Sequence, residues 1–160
     1  MEVLSMRRLI KSIPIVNILF YSYIILLLMA NLLFYSMNIN IEYRTFGQYD
    51  DVSHNIVPFS SITNYFTNFT HYNFNTWFHN TLGNIIMFIP LGVLLPIVYD
   101  RFKNLSQIVL LSFLLSLIIE FIQFVTALGV FDIDDIILNT VGGVLGFTVF
   151  KCVRNHLYIK

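Results

Sequence analysis

Six polar residues in the second half of this 160-residue sequence interrupt runs that are otherwise apolar: Glu120, Gln123, Asp132, Asp134, Asp135 and Asn139. Glu120 lies in LSQIVLLSFLLSLIIEFIQFVT, the only ionisable group of that run. A carboxylate in such a setting is costly unless it is paired, protonated or wetted. It reads either as a proton-accepting, substrate-binding or ion-binding group in a cavity, or as a neutral acid hydrogen-bonded to an asparagine on a neighbouring helix. Gln123, three residues on, shares its helix face. In FDIDDIILNTVGG, Asp132 is a good N-cap, and carboxylates in the first turn of a helix suit its dipole. Capping explains Asp132 and Asp135 but does not require three acids in four positions. Asn139, one turn beyond Asp135, either bonds across a helix contact or floors a cavity. Asn84 comes near the same level from an earlier run. A pair of carboxylates can do acid–base chemistry when their surroundings differ. Glu120 as base, with Asp134 or Asp135 as second acid or metal ligand, is therefore the enzymatic alternative to a binding site.

These residues are held by a chain that is 57% hydrophobic and 11% charged, with mean hydropathy +0.75. A water-soluble domain carries about 25% charged residues, so the expected class is an all-α integral membrane protein. Four runs, at about 15–36, 82–99, 105–126 and 133–153, have the roughly 17–25 residues that a spanning helix needs. One membrane domain over residues 1–160 follows. Arg7, Arg8, Lys11, Arg101, Lys103, Lys151, Arg154 and Lys160 fall on one side of such a bundle, leaving Arg44 alone on the other. By the positive-inside rule both termini are then cytoplasmic, in the bacterial cytoplasmic membrane. The first run is too long for a signal-peptide core and lacks a convincing small-residue cleavage site, so it reads as a retained anchor.

The segment 37–81 between the first two helices is rich in aromatic residues and faces outward in this topology. After Pro58, Ser60 or Ser61 can cap a short helix in which Ile62, Tyr65, Phe66 and Phe69 recur at helical spacing. Such a helix lies in the membrane plane; the alternative is a loop folded over the bundle. Tyr65, Phe66 and Phe69 are candidate contacts for an acyl chain or sugar, and Arg44 a candidate clamp for an anion or partner for Glu120 or Asp135. Gly142 and Gly146 form a small-xxx-small stripe suited to close helix packing, within the chain or in a homodimer. Pro90 is expected to kink the second helix.

Other chemistries find no support. Balanced charge argues against a nucleic-acid partner. Cys152 is the only cysteine, and the four histidines lack metal-ligand spacing, so no metal or cofactor is expected. No GxSxG, P-loop or dinucleotide fingerprint is present.

The ordered blocks NIVPF (55–59), NIIMFIPLG (84–92), EFIQF (120–124) and FDIDDIILNTVGG (131–143) resemble the VanZ-like family of small bacterial membrane proteins. The resemblance runs from about residue 44 to 146. The matching motif positions are Asn55, Pro58, Asn84, Pro90, Gly92, Glu120, Gln123, Asp132, Asp135, Asn139 and Gly143. Some relatives carry an arginine in the turn before the aspartates, where this chain has Val130. The resemblance implies an envelope protein associated with resistance to the glycopeptide teicoplanin; it implies no reaction. Together with the residues, it leads to the expectation of a non-enzymatic protein. Arg44, Asn84, Glu120, Gln123, Asp132, Asp135 and Asn139 would form its pocket. The expected ligand is a lipid-linked cell-wall precursor or a lipoglycopeptide, taken up at the outer leaflet amid membrane lipids.

Overall fold

Long uncharged runs become helices because each helix satisfies its own backbone polar groups where no water can. The computed structural model describes residues 14–38, 54–67, 78–126 and 129–158. Helix α1 is Pro14–Asn38 and a short α2 is Ser60–Thr67; one π-helical turn, His79–Gly83, leads into α3, Asn84–Val98. Helix α4 is Leu105–Val125 and α5 is Ile133–Tyr158. Four of these helices, with the π-turn counted as part of α3, are long and apolar enough to cross a membrane. They stand where the sequence leads one to expect them. No strand occurs among the described residues; a single parallel bridge joins Asn55 to Asp132.

Local chemistry sets the helix ends. The Gln107 side chain accepts the Asn104 amide at 3.4 Å and so closes the start of α4. At the start of α5, Asp132 Oδ1 accepts the Asp134 amide at 2.8 Å, the expected N-cap. Helix α5 runs on past residue 153, its last turns carrying Arg154 and His156, and a basic charge there suits the negative end of the helix. Helix α3 continues through both Pro90 and Pro96.

The tightest packing is the seam between α3 and α5, where glycines let backbone meet backbone. A Cβ at Gly92 would stand 2.0 Å from the Gly143 carbonyl oxygen; at Gly142, 2.2 Å from that of Ile85; at Gly146, 2.0 Å from that of Ile89. The small-residue stripe is thus filled by α3 of the same chain, the first of the two alternatives open for Gly142 and Gly146. Phe88, Leu91, Leu95, Ile108, Ile119 and Phe147 complete the core. Helix α1 joins through Phe20 and Leu27 and through a Tyr23 hydroxyl that donates to the Met87 carbonyl at 2.8 Å. Leu26 (68% exposed), Val125 (64%) and Phe121 (60%) point away from the bundle, an apolar belt suited to lipid.

Candidate functional site

The α4–α5 pair has a simple register. Glu120 Oε2 accepts the Asp132 backbone amide at 3.0 Å, and the Asn139 amide donates to Ser116 Oγ at 2.8 Å. One turn further along, Ser112 Oγ lies where a Cβ on Gly143 would be, at 2.0 Å. Each four-residue step along α4 is answered by four residues back along α5. Glu120 therefore comes level with Asp135, Ser116 with Asn139 and Ser112 with Gly143.

At the Asp132 end of this pair, two aspartates stitch down residues 55–62. The Asn55 amide donates to Asp132 Oδ1 at 2.8 Å and Ser61 donates to Asp132 Oδ2 at 2.7 Å. The Asn55 backbone adds two bonds, its N–H to the Phe131 carbonyl and its carbonyl to the Ile133 N–H, both 3.0 Å. Asp134, 1% exposed, accepts the backbone amides of Phe59 at 2.5 Å and Ile62 at 3.0 Å. Phe59 reaches its bond with φ at 66°, the left-handed region that a phenylalanine seldom enters. A buried carboxylate is tolerable when hydrogen bonds compensate it, and here the protein's own backbone fills both oxygens.

This arrangement bears on two expectations. The cap of α2 comes from Asp134 across the fold rather than from Ser60 or Ser61, and the Ser61 hydroxyl serves Asp132 instead. Asp134, an expected alternative for a second catalytic acid or metal ligand, has each of its two oxygens on a backbone amide. Of the two alternatives left open for this segment, a short helix does form, and it is tied to the bundle through Asp132 and Asp134.

The remaining acids are Glu120 and Asp135. Glu120 is 2% exposed and uses one oxygen on the Asp132 amide. Asp135 is only half-buried, interacts with the Asn84 side chain and lies within electrostatic reach of Glu120, Asp132 and Asp134. Asn84 also donates to the Asn80 carbonyl at 3.2 Å. Gln123, 3% exposed, is drawn elsewhere: its amide donates to the Asn31 carbonyl of α1 at 3.0 Å, and its Oε1 has no partner. Thus Glu120, Asp132, Asp135 and Asn84 gather, Asn139 lies one turn deeper, and Gln123 fastens α1 to α4. Arg44 and Phe69 lie outside the described residues, as do the side chains of Tyr65 and Phe66. In their stead, Ile56 (68% exposed), Val57 (62%) and Phe59 (56%) present apolar surface beside the acids.

The expectation passes over Ser112 and Ser116. Their signal is the spacing 112, 116, 120, which puts two hydroxyls in line with the acid on one face of α4.

Comparison with known proteins adds to this geometry. The family model VanZ/LLP1 matches residues 20–154. A curated relative, Protein VanZ of Enterococcus faecium, is 35% identical over 114 residues, 70% of this chain and 61% of the relative. The chain thus spans less than two thirds of that relative's length. No solved structure matches. The family match takes in all of α3 and α4 and most of α1 and α5, together with the acids described above: the chain belongs to the VanZ/LLP1 family.

Proposed function

We propose that this protein is a multi-pass component of the bacterial cytoplasmic membrane, with both termini inside, that binds a lipid-linked cell-wall precursor or a lipophilic glycopeptide at the outer leaflet. In this reading it contributes to teicoplanin resistance. The observation that carries it is Glu120: a buried acid of a spanning helix, held level with Asp135 and beside the apolar surface of Ile56, Val57 and Phe59. Intramembrane carboxylates are expensive and are usually kept for a use. A polar head of the ligand would meet Glu120, Asp135 and Asn84, and its acyl chain would lie against the apolar residues. The basic residues at the Asp100–Lys103 turn and the end of α5 support the orientation.

The test is teicoplanin susceptibility of cells expressing the wild type, Glu120→Gln or Glu120→Ala, with membrane levels matched by blotting. Glutamine keeps an acceptor for the Asp132 amide and removes the charge; alanine removes both. Wild type is expected to protect, Glu120→Gln to protect less and Glu120→Ala not at all. Equal protection by all three, or none by the wild type, would overturn the reading.

A further inference from the structure

Two polar atoms in the α4–α5 seam have no hydrogen-bond partner although their residues are out of contact with solvent: Ser112 Oγ (residue 0% exposed) and Asn139 Oδ1 (2%). At hydrocarbon depth an unsatisfied polar group is costly, and an apolar side chain of similar size would remove the cost. Both atoms belong to the register already described, so a continuous polar track runs from Glu120 and Asp135 through Ser116 and Asn139 to Ser112. Its rungs are about 6 Å apart, four residues of helix rise. Beyond Ser112 it is closed: Ile108 (0% exposed) and Phe147 (1%) come level there, and a Cβ on Gly143 would stand 3.8 Å from the Ile108 Cγ2. At the other end Asp135 keeps part of its surface accessible.

Among the described residues the charge at that mouth is of one sign. Glu120 faces it from α4, Asp132 from the cap of α5 and Asp134 and Asp135 from its first turn, while α3 brings Asn84 and the 54–67 segment brings Asn55 and Ser61. His54 lies edge-on to Phe124, and α1 contributes Asn31 through Gln123. Among the described residues no basic side chain pairs with these acids.

We propose that the α4–α5 seam is a blind, hydrated half-channel that admits a small monovalent cation, sodium or hydronium, from the outer side. The carboxylates attract it, Ser116 Oγ, Asn139 Oδ1 and Ser112 Oγ with bound water solvate it, and Ile108 with Phe147 stop it. Only the side of entry rests on the orientation given under the proposed function.

Silver ion, a small monovalent cation that reacts with thiols, is the probe. In a Cys152→Ser background, Ser112→Cys, Ser116→Cys, Ile108→Cys and lipid-facing Phe113→Cys are treated with silver in sealed right-side-out membranes. The membranes are then denatured and labelled with a maleimide polymer. The cysteines at 112 and 116 are expected to be blocked by silver and those at 108 and 113 to remain free. Glu120→Gln is expected to slow the reaction at position 112 about tenfold, the effect of one charge about 12 Å away at an effective dielectric of roughly 20. Sodium in place of choline slows the reaction at position 116 if the cation is sodium, and low pH slows it if hydronium, each rate being normalised to exposed Val57→Cys. No block at positions 112 and 116 from either face of the membrane, or competition by neither ion, would overturn the half-channel, whereas block only from inverted membranes would overturn its outward opening and the orientation with it. Teicoplanin protection scored on the Glu120 variants fails or holds independently of these rates.

Discussion

Alanine in place of Asp134 is expected to release residues 55–62 from the helix bundle. Two backbone amides, those of Phe59 and Ile62, lose their acceptor together. Hydrogen bonds to a charged group contribute about 1.5–3 kcal/mol each, and the left-handed backbone at Phe59 stores about 1 kcal/mol or more that the bonds no longer offset. The expected loss is thus on the order of 3 kcal/mol or more, concentrated in one segment. Hydrogen exchange read by mass spectrometry is expected to show amides of residues 55–67 exchanging at least about a hundredfold faster. Peptides from the middle of α4 are expected to change little. Asp134→Asn, which keeps one carbonyl acceptor, falls between. Unchanged exchange at residues 55–67 in the alanine variant would show that the segment is held by Asp132 and the Asn55 backbone alone.

Gly92→Ala is expected to be more damaging to the bundle as a whole. On an unencumbered helix this change stabilises by about 0.5–1 kcal/mol, since alanine restricts the unfolded chain more than glycine does. At Gly92 the new methyl would meet two backbone atoms, the Gly143 oxygen at 2.0 Å and the Phe147 nitrogen at 2.6 Å. Backbone of a packed helix cannot swing aside as a side chain can, so α3 and α5 must separate. Overpacking costs about 1–3 kcal/mol, and this contact belongs at or above the upper end. Gly83→Ala is the control, because its nearest neighbour, the Phe78 carbonyl oxygen, stands at an ordinary 3.6 Å. Thermal unfolding in detergent is expected to show a lowered midpoint for Gly92→Ala and an equal or raised one for Gly83→Ala. Equal midpoints for Gly92→Ala and wild type would mean that the seam is more yielding than its geometry implies.

The spanning helices are legible in the sequence because twenty uncharged apolar residues have few other destinations. Asp132 as an N-cap is legible for a similar reason, its partner being two residues away. The role of Asp134 is not: its partners are backbone amides 75 and 72 residues distant, and a backbone donor leaves no mark on residue type. The glycine stripe announces close packing but does not name the surface packed against, which is why Gly142 and Gly146 leave a dimer face open as an alternative. Ser112 and Ser116 are visible as residues in line with Glu120. Their facing Gly143 and Asn139 depends on the register that the short turn before α5 imposes. The candidate site was therefore readable as a set of residues, and the division of labour among them was not.

The central claim is that Glu120 belongs to a site for a lipophilic ligand rather than to the scaffold. Its most direct test is equilibrium binding to the purified full chain in nanodiscs, with teicoplanin and a lipid-linked cell-wall precursor as the two probes. Wild type is expected to bind at least one probe saturably, and Glu120→Gln to bind it about tenfold more weakly, as befits one lost charged contact of roughly 1.4 kcal/mol. Identical affinity in wild type and Glu120→Gln, or no saturable binding of either probe by wild type, would contradict the claim.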